Sequence, residues 1–343
     1  MKRLLNTLYV LSEDAYLSLK GETVEVSYSD GSHKTIPLHM LESIVCFSYK
    51  GASPALMGKC RSKGIYISFY SPNGKYHASI ANTTNGNVYL RRSQYRNADN
   101  EKIALSIAIN MIVGKLYNEK YVLLRCIRDH EMRVDTNKIR RAAENISKYM
   151  KDAAKATDKA SLMGIEGNSA AEYFHVFDDM ILQNKDDFRF VERNRRPAQD
   201  RTNALLSLAY TVLANECAAA LHGIGLDPFV GFLHVDRPGR ESLALDLEEE
   251  LRAPFADRFV MTLINNRIIN KKDFVVKDNE AVLLTEEGRK KFFAEWQKKK
   301  KQTITHPYLK EKVEWGLVPH IQALLLARYI RGDIDQYPPF FWK

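Results

Sequence analysis

"NEKIALSIAINMIVGKLYNEKYVLLRCIRDH", Asn100–His130, is where the chain changes its period. Apolar residues recur there at three- and four-residue spacing, which predicts one long helix. The preceding sequence reads differently. "LNTLYVLS", "AYLSLKG", "ETVEVSYS", "SIVCFSY", "GIYISFYS" and "KYHASIA" are short runs rich in aromatic and β-branched residues. "SDGS", "PNGK" and "TNGN" punctuate them with turn chemistry, so they predict strands. One helix interrupts the strands: "SPALMGKCRSKG" offers Ser53 as N-cap, Pro54 at the first helical position and Gly64 just past the end. Downstream, helical patterns cover 136–156, 158–181, 200–222, 241–268 and 313–331, and "DFVVKDNEAVLL" predicts a short hairpin around "KDNE". The expectation is an α+β fold, with a small β-rich N-terminal domain over 1–96 and a mainly α-helical domain over 97–343.

The chain has 343 residues, 45% hydrophobic and 27% charged, enough apolar material for a sizeable core. Its 51 Lys and Arg exceed 42 Asp and Glu, a formal charge of +9. That excess suits a polyanionic partner such as nucleic acid, or equally a merely basic surface. Cys46, Cys60, Cys126 and Cys217 form no C-x-x-C pair and sit among apolar neighbours, the pattern of free buried thiols in an intracellular protein. The start, "MKRLLNTLYVLSEDAYL", mimics a signal peptide, but Asn6 and Thr7 break the apolar run and no small-x-small site follows. "IALSIAINMIV" is shorter than the ~20 residues a membrane span needs. No membrane role is expected, and the cytoplasm is the default location. P-loop, G-x-G-x-x-G, H-E-x-x-H and G-x-S-x-G patterns are absent, so ATP use, a Rossmann cofactor and serine hydrolysis lose support.

The chemistry concentrates in "GFLHVDRPGRESLALDLEEELR", Gly231–Arg252. Asp246 and Glu249 stand three apart, on one face of a predicted helix. Two carboxylates so placed repel unless a cation or a proton lies between them. Two readings stay open on spacing alone: a solvated acidic turn beside Arg252, or half of a metal site. His234, in a Gly- and Pro-broken loop, is either a satisfied core histidine or a ligand. With two acids it makes a mixed nitrogen and oxygen shell suited to Mn²⁺ or Mg²⁺. Glu166 is the best third candidate, a single charge in a small, apolar stretch flanked by Gly164 and Gly167. Arg193, Arg195 and Arg196 in "RFVERNRRPAQDR", with Arg237 and Arg240 flanking His234, are candidate phosphate-binding forks. Glu241, Glu248 and Glu250 are expected on a solvated face.

Taken in order, "RRSQYRNAD" (91–99), "VGKLYNEK" (113–120), "GIEGNSAAEYF" (164–174), "NRRPAQDRTNALLSLAY" (194–210), "GLDPFVGFLH" (225–234) and "SLALDLEEELRAPFADR" (242–258) resemble a known family. It is the CRISPR-associated integrase-endonuclease family of the adaptation step. The N-terminus and the ending "DQYPPFFWK" are similar to its subtype I-C branch. The resemblance implies a dimerising β-rich N-terminal domain and a helical catalytic domain. It implies one divalent metal, Mn²⁺ or Mg²⁺, held by Glu166, His234 and Glu249, with Asp246 as an auxiliary acid. Which of Asp246 and Glu249 ligates directly stays open, with Glu249 favoured. The implied partners are a second copy of the chain, a dimer of a small ferredoxin-like protein completing a heterohexamer, a prespacer duplex and the CRISPR repeat; a further CRISPR-associated end-trimming nuclease is another candidate. The implied reaction is insertion of prespacer 3′-hydroxyl ends into the repeat, with nuclease activity at the same site. Two rivals remain: a general metal-dependent repair nuclease without an integration role, and a non-catalytic DNA-binding scaffold.

Overall fold

A computed structural model describes residues 6–70, 76–80, 87–194 and 197–343. Its first part holds seven strands and a helix in the order β1 (Thr7–Val10), β2 (Tyr16–Lys20), β3 (Thr23–Ser27), β4 (His33–Pro37), β5 (Ser43–Cys46), α1 (Pro54–Lys63), β6 (Tyr66–Tyr70) and β7 (Tyr76–Ile80). Strands β2, β3 and β4 form an antiparallel sheet, and a second sheet has the order β1-β5-β6-β7. Within the second sheet β1, β5 and β6 run parallel and β7 returns antiparallel. Strand β4, "HKTIP", is not among the strands expected from the sequence, because its first residues are exposed and polar and break the apolar pattern. Helix α1 is capped as predicted: Ser53 accepts from the Leu56 N–H, and Gly64 takes φ 76° at its end. "PNGK" and most of "TNGN" fall outside the described residues.

The strand period of two divides the second sheet between two cores. Ile44, Cys46 and Ile67 face a small core shared with Leu17, Val24 and Leu56. Val45, Phe47 and Tyr70 face the other way, into the large core of the helices.

The helices follow as α2 (Val88–Asp99), α3 (Glu101–His130), α4 (Thr136–Ala153), α5 (Lys159–His175), α6 (Lys185–Phe188), α7 (Arg201–Ile224), α8 (Ser242–Leu251) and α9 (Arg258–Asn265). The predicted hairpin is β8 (Phe274–Val276) with β9 (Val282–Leu284). Then come α10 (Glu286–Lys300), a second hairpin of β10 (Thr303–Thr305) and β11 (Lys312–Glu314), and α11 (Val318–Arg331). Asn100, Asp135, Asp158 and Asp200 cap α3, α4, α5 and α7 by accepting backbone N–H bonds. The predicted helix over 241–268 is interrupted: residues Arg252–Asp257 widen into a π turn between α8 and α9. Among the described residues α7 alone is long and apolar enough to cross a membrane, and 61% of that window is buried in the fold.

Helix α3 is the spine. Its most apolar turns pack on α8 on one side and on the C-terminal tail on another. Asn118 Nδ2 donates to Glu250 O and Phe340 O, both at 2.7 Å, and its Oδ1 accepts from Trp342 N at 2.9 Å. Gly114 lets the tail approach: a Cβ there would lie 2.9 Å from Pro339 Cβ and 3.3 Å from Glu250 Cγ. In Gly114→Ala the overpacking, about 1–3 kcal/mol, outweighs the ~1 kcal/mol gained in helix propensity. A lower denaturation midpoint is expected, and an unchanged one would contradict this close approach.

Candidate active site

The acids of α8 are not on a solvated face. Asp246, Glu248, Glu249 and Glu250 are all buried, which corrects the expectation for Glu248 and Glu250. Burial is tolerated because each has its own partner. Glu248 pairs with Arg252 at 3.1 Å. Glu250 accepts from Tyr337 Oη and Phe340 N, both at 2.6 Å, and from Gln322 Nε2 at 3.0 Å. Glu241, at the start of the helix, is half-buried rather than solvated, and burial pushes its carboxyl up to about 7.

Asp246 is fully buried and organises the loop before α8. Its Oδ2 accepts from Phe232 N at 2.6 Å and Leu233 N at 3.0 Å, and its Oδ1 from His234 N at 3.0 Å. Oδ1 also meets His234 Nδ1 at 2.7 Å. An ionised carboxylate only accepts, so Nδ1 carries a proton, and in the neutral tautomer this contact selects the lone pair falls on Nε2. Gly231 permits this wrap, because a Cβ there would lie 2.9 Å from Asp246 Oδ2. The far end of the loop is held by α2. Gln94 Nε2 donates to Asp227 O at 2.8 Å and Val230 O at 2.9 Å, its Oε1 accepts from Asp227 N, and Tyr95 Oη donates to Asp227 Oδ2. The "RRSQYRNAD" stretch thus positions His234 from a distance.

Glu249 and Glu166 come together from α8 and α5. The link is Lys115 of α3, which pairs with Glu166 and lies 2.8 Å from Glu249 Oε2. That approach leaves Oε2 without an aligned hydrogen-bond donor. Glu249 Oε1 is 2.6 Å from Arg252. Burial raises the Glu249 carboxyl, but Arg252 and Lys115, with a lesser contribution from His234 when that ring is protonated, hold it below the usual carboxylate range. His234 is thus a near neighbour of Glu249. Glu119, one turn beyond Lys115, accepts from Ser169 Oγ at 3.2 Å, and burial pushes it up to about 8 against the pull of Lys115. Among the described residues no three His, Cys, Asp or Glu side chains already close on one point.

The sequence reading named Glu166, His234, Asp246 and Glu249 but gave no role to Lys115, Glu119 or Arg252. Their signal was available: Lys115 and Glu119 are charges four apart inside the most apolar turns of α3. Arg193 was expected at a nucleic-acid surface and instead turns inward. It donates to Asn203 Oδ1 at 2.6 Å and Ser207 Oγ at 3.1 Å and stacks over Tyr210. Arg195 and Arg196 lie outside the described residues. Arg237 is exposed and Arg240 half-buried, in the loop that carries His234.

The donor set fits a hard divalent cation. It has two carboxylates from different helices, one buried carboxylate oxygen without an aligned donor, and an imidazole whose Nε2 has no hydrogen-bond partner among the described residues.

Known proteins match this chain over nearly its whole length. The sequence pattern of the family described as "CRISPR associated protein Cas1" matches residues 8–298. "CRISPR-associated endonuclease Cas1 1" of Chlorobaculum tepidum is 43% identical over 343 residues, covering 100% of both chains. "CRISPR-associated endonuclease Cas1 2" of Rhodospirillum rubrum is 45% identical over 348 residues, again with 100% of both covered. The solved CAS1 protein TM1797 of Thermotoga maritima superposes with a TM-score of 0.82 at 24% identity, covering 95% of this chain and 97% of that one, which is agreement of fold. Two matches carry further components in their names. A "Cas4/endonuclease Cas1 fusion" of Geobacter sulfurreducens is 33% identical over 97% of this chain and 60% of its own length. A chain of a "Cas6-RT-Cas1--Cas2 complex" has a TM-score of 0.82 at 21% identity, covering 98% of this chain and 36% of that one. With its acids and histidine arranged as above and the match running through nearly its whole length, this chain belongs to the Cas1 family of CRISPR-associated proteins.

Proposed function

We propose that this protein is the integrase-endonuclease of CRISPR adaptation, inserting 3′-hydroxyl ends of a short DNA duplex into a repeat. The observation that carries the reading is the convergence of Glu166 and Glu249 on one point, beside a His234 whose tautomer is fixed by Asp246. Glu166, His234 Nε2 and Glu249 would hold the metal, Mn²⁺ or Mg²⁺. When bound, it supplies Lewis-acid stabilisation of charge on phosphoryl oxygens.

The remaining chemistry belongs to the chain's own residues. The incoming 3′-hydroxyl gives up its proton as its oxygen bonds to phosphorus, the repeat's P–O3′ bond breaks, and the departing 3′-oxygen takes up a proton in exchange. Water in place of the 3′-hydroxyl gives hydrolysis, hence nuclease activity. Asp246 spends both oxygens on the loop and on Nδ1, so its role is to aim His234 rather than to ligate. Arg252 fixes Glu249 through its guanidinium. Arg237 and Arg240 are placed to grip phosphates without reading bases.

The same reading assigns residues 1–96 to dimerisation and residues 97–343 to catalysis, places the protein in the cytoplasm, and favours subtype I-C. A small Cas2-type partner dimer flanked by two dimers of this chain would complete a heterohexamer. The complex and fusion named above support a Cas2-type partner and an end-trimming Cas4-type nuclease. The test supplies a duplex with free 3′-hydroxyls, a repeat-bearing plasmid and the small partner. Joined product is expected. Cleavage without joining would favour a repair nuclease instead, and neither activity would favour a scaffold.

The protonation pattern gives a second expected result. Burial raises Glu250 and Glu119 from 4.5 to about 8, so the folded state keeps protons that the unfolded chain has released. Their stabilising contribution is present at low pH and is lost as pH rises through 8. The melting temperature should therefore fall between pH 6.5 and 8, and the slope should be shallower in Glu250→Gln. An equal slope in the variant would rule out a buried, protonated Glu250.

A further inference from the structure

Lys115 is the strongest feature that the reading above leaves without a role. Its side chain is only 5% exposed, and its ammonium bridges the carboxylates of Glu166 and Glu249, which come from two different helices. A buried ammonium needs paired charge, and two carboxylates drawn to one point need a cation between them. Each therefore accounts for the other. Helix α3 is fixed on either side of Lys115, by Gly114 against the tail and by Asn118 against Glu250 and Phe340. The ammonium is thus delivered by the most firmly anchored part of the spine.

We propose that Lys115 is a positioning residue that holds Glu166 and Glu249 at converging distance and, by competing for the same two carboxylates, sets how tightly the site takes a divalent cation. This rests on the reading of Glu166, His234 and Glu249 as ligands. Arg252 is balanced by Glu248 as well as by Glu249, so of the two charges on Glu166 and Glu249 the ammonium of Lys115 is the cation that bridges both and that a dication would displace. A dication drawn to the same oxygens is repelled by the ammonium, which must turn away along α3 toward Glu119. Neutralising Lys115 removes both the competitor and the repulsion. A side chain with a merely structural role would act oppositely, since its loss would loosen the carboxylates and weaken binding.

The experiment measures Mn²⁺ dissociation constants by calorimetry on chelator-treated full-length protein. Lys115→Gln and Lys115→Met should bind Mn²⁺ at least about tenfold more tightly than the wild type, a change of ~1.4 kcal/mol. Lys115→Arg, which keeps the charge, should stay within about threefold of the wild type. Unchanged or weaker binding in the two neutral variants would overturn the proposal. Glu166→Gln separates the two layers of the argument. If it binds Mn²⁺ like the wild type, the ligand assignment itself fails. If it binds more weakly while the neutral Lys115 variants show no tightening, only the role of Lys115 fails. Should the neutral variants not fold, a crystal structure of the wild type with Mn²⁺ decides the matter. The ammonium should have left at least one carboxylate, and its continued contact with both would overturn the proposal.

Discussion

Glu166→Gln should abolish strand joining and nicking, by about three orders of magnitude or more, while leaving the fold intact. A loss of that size corresponds to ~4 kcal/mol of transition-state stabilisation. It follows from removing one of two converging anionic donors where charge must be held near a reacting phosphate. The fold should survive because Glu166 lies on the open side of the site, with a side chain 27% exposed, and Lys115 retains Glu249. Glu249→Gln makes the contrast. Glu249 is nearly fully buried between Arg252 and Lys115, so its neutralisation leaves Lys115 with Glu166 alone and Arg252 with Glu248 alone, one negative charge short in a buried place. Breaking a buried pair of this kind costs about 3–5 kcal/mol. Both variants should be inactive, but only Glu249→Gln should also melt substantially lower. The assays are joined-product yield and thermal melting on the same preparations. Wild-type joining in Glu166→Gln would remove this residue from the site.

That contrast shows what the sequence could and could not reveal. The change of period from Asn97 onward announced the helices because periodicity is local, although they already begin with α2 at Val88, and the cap at Ser53 is equally local. Helix α10 has a weaker apolar pattern, with Phe292, Phe293 and Trp296 buried amid charged residues, and went unassigned. The site was legible to the extent that it is written in one helix and its preceding loop. Asp246 and Glu249 stood apart from their neighbours by sharing one helical face, though spacing alone left a solvated turn open. The burial of Glu248 and Glu250 was not legible, because their partners lie four residues away in one case and about ninety in the other. The same holds for Arg193, which reads as part of a basic cluster but bonds inward to Asn203 and Ser207 on α7. Lys115 is the clearest case. Its meaning depends on Glu166 and Glu249 arriving from two other helices, which no local pattern encodes.

Asp246→Asn should cost both stability and metal affinity, through a single misplaced proton-bearing group. In the wild type, each carboxylate oxygen faces donors only: Phe232 N and Leu233 N at Oδ2, and His234 N and Nδ1 at Oδ1. An amide has one acceptor oxygen and one NH₂. With its oxygen kept at the position facing Phe232 and Leu233, the NH₂ must face the His234 N–H, donor against donor in a fully buried place. One unsatisfied buried N–H costs about 1–3 kcal/mol, and the mutual repulsion adds to it. The same NH₂ can bond Nδ1 only as a donor, which moves the ring proton to Nε2 and removes the lone pair aimed toward the site. Disturbing a partner of a ligating histidine typically weakens metal binding about 10- to 100-fold. The opposite amide orientation spares the imidazole but sets the NH₂ against two backbone N–H groups instead of one. Either way the loop from Gly231 to His234 loses its anchor, so destabilisation of roughly 2–4 kcal/mol is expected, with Mn²⁺ affinity falling alongside. Denaturation midpoints and Mn²⁺ calorimetry on one preparation test both halves. A variant that loses metal affinity at wild-type stability would make Asp246 a direct ligand, and a variant unaffected in either would dissolve the clamp altogether.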